Sequence, residues 1–193
     1  AGDVQQFARE FEADLAVIAR ANEEFDLPDN LKLSIHSGSD KFSIYKPIKK
    51  AIKKFDAGLH LKTAGTTWLE ELIGLALAKG EGLKIAKEVY KTALNRFDEL
   101  CGPYSTVIDI NKDHLPTAEE VDGWSSEEYA SSLIHDLSCD TYNLNFRQLL
   151  HVGYKIAAEM GQDYLDALVK FEDIIAENVT ENIYQRHIKR VFI

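Results

Sequence analysis

Two short apolar runs, each closing on a histidine followed by small, hydroxylated and cationic residues, constrain this chain more than anything else in it. Both lie within residues 31–69, LKLSIHSGSDKFSIYKPIKKAIKKFDAGLHLKTAGTTWL. The first, residues 31–35, alternates Leu31, Leu33 and Ile35 with Lys32 and Ser34, the period of a half-buried strand. His36 then opens a turn, Ser37-Gly38-Ser39-Asp40. The second run, residues 58–62, reads GLHLK and is closed by Thr63, Ala64, Gly65 and Thr66. Between them Ile44, Ile48, Ile52 and Phe55 recur at helical spacing, with Pro47 near the start, where a missing N–H costs least. Strand, helix, strand is the order of a parallel α/β unit, whose functional groups gather at the carboxyl ends of the strands. Neighbouring parallel strands bring those ends to one rim, so His36 and His60 are expected to converge there. That arrangement suits a shared divalent metal ion.

The remainder reads as helix. Residues 3–25 carry Val4, Phe7, Phe11, Leu15, Ile18 and Phe25 on one stripe, with Asp3 as N-cap. Residues 66–79 form an amphipathic helix, capped by Thr66 or Thr67 with Glu70 completing a capping box. Further helices are expected over 83–100, 125–137, 146–159, 164–175 and 180–191. Residues 104–110, YSTVIDI, read as a third strand, and 112–126 as a loop with at most a helical turn. The fold class is therefore α/β, predominantly helical with two or three parallel strands, in a single domain over 1–193. A closed eight-stranded barrel takes about 250 residues, so the chain is expected to be an incomplete piece of a longer protein. Its apolar strand edges and helix faces then favour self-association.

Of 193 residues, 45% are hydrophobic, enough for a substantial core. The formal charge of −10 withdraws electrostatic support for binding nucleic acid or an anionic membrane. No apolar run approaches the roughly 20 residues that cross a bilayer. Cys101 and Cys139, far apart, read as free thiols of a reducing compartment, which points to the cytoplasm. Against the acidic background, Lys41, Lys46, Lys49, Lys50, Lys53, Lys54 and Lys62 form a basic island around the two histidines. For the helix lysines the plain reading is a solvated face; the island can also steer a small anionic ligand.

His36 and His60 are the metal-ligand candidates, since neutral imidazole is the commonest protein ligand for borderline divalent ions. Two protein ligands make a weak site, so a third is expected from elsewhere. Asp40 reads either as a support or substrate-hydroxyl contact or as an Asx-type turn residue. Lys41 and Lys62 suit a substrate carboxylate or an enolate oxygen, and Ser37, Ser39, Thr63 and Thr66 suit sugar hydroxyls. His114, His135 and His187 read as surface residues, and His151 as a helix-surface residue. No phosphate-binding loop, dinucleotide fingerprint, cysteine zinc framework or Ser/His/Asp nucleophile signature occurs.

The turn IHSGSDKFSIY at residues 35–45 and HLKTAGT at 60–66 resemble the paired signatures of the tagaturonate/fructuronate epimerase family. NFRQLLHVGYK at 145–155 and NVTENIY at 178–184 are similar to that family too, so the resemblance spans nearly the whole chain. It implies a metal-dependent epimerase of two keto-uronates, built as a TIM-barrel-like (β/α)8 protein, with His36 and His60 as two ligands of a divalent cation. Ser37, Asp40, Lys41, Lys62 and Thr63 are then substrate-binding residues, and the partner is a small anionic sugar acid. Members are much longer, with their acid/base carboxylates mainly before the first signature, so this chain corresponds to the carboxyl-terminal portion. The alternatives are another metal-dependent sugar isomerase or aldolase, or a helical interaction domain without catalysis.

Overall fold

Residues 2–28, 30–37 and 40–193 are described by a computed structural model. Their contacts gather into two compact units, one formed by residues 1–64 and 181–193, the other by 65–180. The first unit opens with α1 (Val4–Phe25), capped by Asp3, whose carboxylate accepts from the Gln5 and Gln6 N–H groups at 2.7 and 3.0 Å. It ends on Asp26 in the left-handed region, φ 49°, which Asp tolerates better than most side chains. Then come β1 (Leu33–His36), a 3₁₀ turn (Phe42–Ile44), α2 (Tyr45–Lys54) and β2 (Leu59–Lys62).

The two strands pair in parallel, Leu33 opposite Leu59, Ser34 opposite His60, Ile35 opposite Leu61 and His36 opposite Lys62. Alternation therefore sends Leu33, Ile35, Leu59 and Leu61 to one face, where they pack on Phe11 and Leu15 of α1 and on Tyr45, Ile48, Ala51 and Ile52 of α2. Ser34, His36, His60 and Lys62 share the other face and are exposed. The chain returns to this unit through a π-helical stretch (Glu181–Ile188) and the short α12 (Lys189–Phe192), whose Val191 joins the same core. Lys46, Lys50, Lys53 and Lys54 lie on the solvated side of α2, and Lys54 pairs with Glu12 at 2.7 Å.

The second unit is entirely helical among the described residues. It holds α3 (Ala64–Leu77), α4 (Gly80–Asn95), α5 (Phe97–Cys101), α6 (Ala118–Gly123), α7 (Ser126–Leu133), α8 (Leu144–Val152), α9 (Tyr154–Met160), α10 (Gln162–Lys170) and α11 (Glu172–Thr180). In α3, Trp68, Leu69, Leu72, Ile73, Leu75 and Ala76 are all buried, and a helix apolar on nearly every side belongs inside. With it pack Tyr90, Tyr129 and Phe146, the Tyr90 and Phe146 rings tilted with centroids 4.5 Å apart and Tyr129 edge-on to Phe146. Their polar tips are satisfied: Tyr90 Oη donates to Pro116 O, Tyr129 Oη to Ala86 O, and Trp68 Nε1 to Leu150 O. Thr117 with Glu120 and Ser125 with Glu128 form capping boxes at the starts of α6 and α7.

Two expectations are corrected here. Residues 104–110 are not a strand: Val107 and Ile108 N–H groups return to Tyr104 O, and those of Asp109 and Asn111 go to the Gln148 and Asn145 side-chain oxygens. A β-branched run without a partner strand satisfies its amides this way instead. Likewise α3 begins at Ala64, ahead of the capping box expected at Thr66 or Thr67, and Thr66 is buried within its first turns.

Candidate functional site

The exposed face of the two-stranded sheet is where polar chemistry collects. His36 closes β1, while His60 is the second residue of β2, so the register sets His60 beside Ser34 and His36 beside Lys62. The two histidines are on one face, offset by one strand spacing and two residues. At about 3.3 Å per residue and about 4.8 Å between strands, their Cα atoms lie roughly 8 Å apart, a separation that two imidazoles reaching towards one another can span. Lys62 Nζ approaches His36 Nε2 to 3.4 Å. An ammonium only donates, so His36 offers its Nε2 lone pair and carries its proton on Nδ1 in this contact. A cation held through Nε2 would have to displace Lys62; one held through Nδ1 would require the other tautomer, whose Nε2–H cannot accept from the ammonium, so either mode breaks this contact.

The turn after β1 is anchored to the sheet and to α2. Ser37 N–H donates to Lys62 O at 2.8 Å, extending the ladder past His36, and Asp40 N–H returns to Ser37 O at 3.0 Å. Asp40 itself is left-handed, φ 51°, and Lys41 follows near the inverse γ-turn geometry, φ −76° and ψ 55°, with Phe42 N–H on Asp40 O at 2.8 Å. Ser37 is fully buried and its hydroxyl bonds the Tyr45 hydroxyl. Burial pushes that phenol up to about 12, the Ser37 bond acting the other way and the Asp40 charge adding to the rise. Tyr45 therefore stays protonated.

The five expected substrate contacts thus divide. Lys41 and Lys62 are exposed cations and Thr63, next to Lys62, is half-buried. Ser37 and Asp40 turn inwards, Ser37 to Tyr45 and Asp40 to His187. Ser39 lies outside the described residues. His187, expected at the surface, is fully buried, with its Nε2 3.2 Å from Asp40 Oδ1. Helical spacing gave one available signal: His187 stands four residues before the buried Val191 and five after the buried Asn182. His114 is exposed, and His135 and His151 are partly buried. Among the described residues, no three His, Cys, Asp or Glu side chains gather as a metal site. The donor chemistry of the face fits two ligands of a divalent ion, His36 and His60, with further ligands required from outside this set.

Parallel strands joined by a helix, with imidazoles and cations on their open face, define an α/β unit set in a predominantly helical chain. The family model for tagaturonate epimerase matches residues 1–191, and the chain belongs to that family. It is 33% identical over 191 residues to the tagaturonate/fructuronate epimerase of Thermotoga maritima, an alignment covering 97% of this chain and 34% of the relative. The native crystal structure of the fructuronate-tagaturonate epimerase from Cohnella laeviribosi matches with a TM-score of 0.69 and 27% identity, over 98% of this chain and 35% of that one. The two-glycerol complex of the same enzyme matches with a TM-score of 0.72 and 26% identity, over 100% and 35%. The chain spans about a third of the length of these relatives. Among the described residues, no helix is long and apolar enough to cross a membrane.

Proposed function

We propose that the whole protein is a cytoplasmic epimerase that interconverts the keto-uronates tagaturonate and fructuronate. In this reading the chain is the carboxyl-terminal portion of a TIM-barrel-like protein, and its parallel strand–helix–strand unit is one rim segment. His36 and His60 supply two ligands of a divalent cation, and Lys41, Lys62 and Thr63 meet the substrate. Family membership supports the substrate class. The observation that carries the site is the register, which puts both imidazoles and the Lys62 ammonium on one exposed face.

The chemistry asked of that face follows from the substrate. A carbon one bond beyond the position next to a ketone is out of reach of simple enolisation. Taking the proton from its hydroxyl breaks the bond to the neighbour beside the ketone, and the electron pair passes into the ketone oxygen as an enolate. The aldehyde so formed turns its other face, the bond re-forms, and the proton returns. A divalent cation, when bound, supplies Lewis-acid stabilisation of that oxygen. Lys62 and Lys41 neutralise the substrate carboxylate and hold the fragment in register, and the Thr63 hydroxyl bonds the chain of alcohols. Incubation of the whole protein with tagaturonate, fructuronate and neutral ketoses, followed by chromatography, tests this. Conversion confined to the two keto-uronates is expected; turnover of a neutral ketose with none of either uronate would overturn it.

A further inference from the structure

The turn that carries Ser37 and Lys41 is held from behind by the last helical stretch of the chain. His187 sits in the π-helical segment with its side chain 0% exposed, and the Asp40 side chain opposite it is 0% exposed as well. Nδ1 of His187 lies 3.0 Å from Asn182 O, a carbonyl that can only accept, so Nδ1 carries a proton. Nε2 lies 3.2 Å from Asp40 Oδ1, at ion-pair distance though not aligned as a hydrogen bond. The imidazole is boxed by Phe42, centroids 5.4 Å apart, and by Tyr45, 5.5 Å. Arg186 and Arg190, one on each side of His187 in sequence, set their guanidinium groups 4.5 and 5.1 Å from the Phe42 ring. Burying an ionisable pair carries a desolvation cost, and fixing a register is the best-attested use of such a pair.

We propose that His187 is a positioning residue: through Asp40 it locks the turn after β1 and thereby orients His36 and Lys41, making the closing helical segment part of the support of the site. The orienting role rests on the function proposed above; the locking of the turn does not.

The test uses the whole protein and two readouts. Hydrogen exchange follows the Asp40 and Phe42 amides, and Zn²⁺ titration by calorimetry follows cation binding to folded protein. His187→Leu removes the imidazole that faces the Asp40 carboxyl, whereas Asp40→Asn keeps a neutral polar group opposite Nε2. The expected result is exchange at the turn faster by about tenfold or more in His187→Leu, with α4 and α8 unchanged. Zn²⁺ affinity should fall, at most by the about 10- to 100-fold that losing a group bonded directly to a ligand costs, because the turn that follows His36 loosens. Asp40→Asn should keep both near their wild-type values. If His187→Leu does not fold, Asp40→Ala, which removes the contact from its other side, carries the same comparison. Unchanged exchange at the turn would overturn the inference, as would wild-type Zn²⁺ affinity in a variant whose turn has loosened. Failure of the wild type to bind Zn²⁺ or convert a uronate would sink the proposed function instead, and the exchange data would still decide the locking.

Discussion

Gly82→Ala is the substitution for which the structure gives the clearest magnitude. Gly82 lies in the first turn of α4, and a Cβ built there would stand 2.3 Å from the Leu75 carbonyl oxygen of α3 and 3.1 Å from Ala78 Cβ. An ordinary contact between such atoms is longer by most of an ångström, and a backbone carbonyl has no rotamer through which to escape. The helices must part, in a core where Leu72, Ile73, Leu75 and Ala86 are completely buried. Overpacking of this kind costs about 1–3 kcal/mol and occasionally more. A 2.3 Å approach to a backbone oxygen belongs at the upper end of that range, and alanine recovers up to about 1 kcal/mol of helix propensity, so a net loss of about 2 kcal/mol is expected. For a protein of this size that lowers Tm by about 4–8 °C. Gly123→Ala is the control, since nothing lies within 4 Å of its Cβ position and its φ is not positive; it should be neutral or slightly stabilising. Scanning calorimetry of both variants provides the comparison, and a Gly82→Ala protein melting with the wild type would refute the packing argument.

Other outcomes follow from the same structure. The Arg96 guanidinium, and after it the Lys155 ammonium, hold the Glu99 carboxyl down at about 2; a group lowered on folding stabilises above its ordinary value and loses that stabilisation as pH falls through the folded one. Melting temperatures between pH 5 and pH 2 should therefore drop more in the wild type than in Glu99→Gln, and parallel curves would count against the pairing. Trp68→Phe removes the 2.8 Å bond to Leu150 O, which keeps the Gly153 N–H at 2.9 Å; a loss of about 0.5–1.5 kcal/mol from the bond alone is expected by urea denaturation. The chain alone should self-associate through apolar residues such as Val107, Leu137 and Val169, which are 77%, 82% and 74% exposed, and light scattering showing only monomer at high concentration would contradict this.

The strand–helix–strand unit was legible because period-two and period-3.6 patterns follow directly from backbone geometry, and Asp3 capped its helix as its side chain demands. Register was not legible. A single sequence does not say that His60 pairs with Ser34 and not with His36, since that depends on where the crossover helix delivers β2. His187 was misjudged for a similar reason: its neighbours Gln185, Arg186 and Lys189 are polar, and its burial comes from Phe42, Tyr45 and Asp40, which lie more than 140 positions away. Ser37 and Asp40 read as turn residues suited to substrate contact, whereas both are buried and Asp40 takes a left-handed backbone. The 104–110 run failed because β propensity reports fit to a sheet, and among the described residues no strand pairs with it.

The account depends on His36 and His60 serving one cation. Elemental analysis of the whole protein beside its His36→Ala and His60→Ala variants, each checked for folding by circular dichroism, measures this directly. A bound divalent metal in the wild type that is lost from both variants is the predicted result; the same metal content in all three would contradict it.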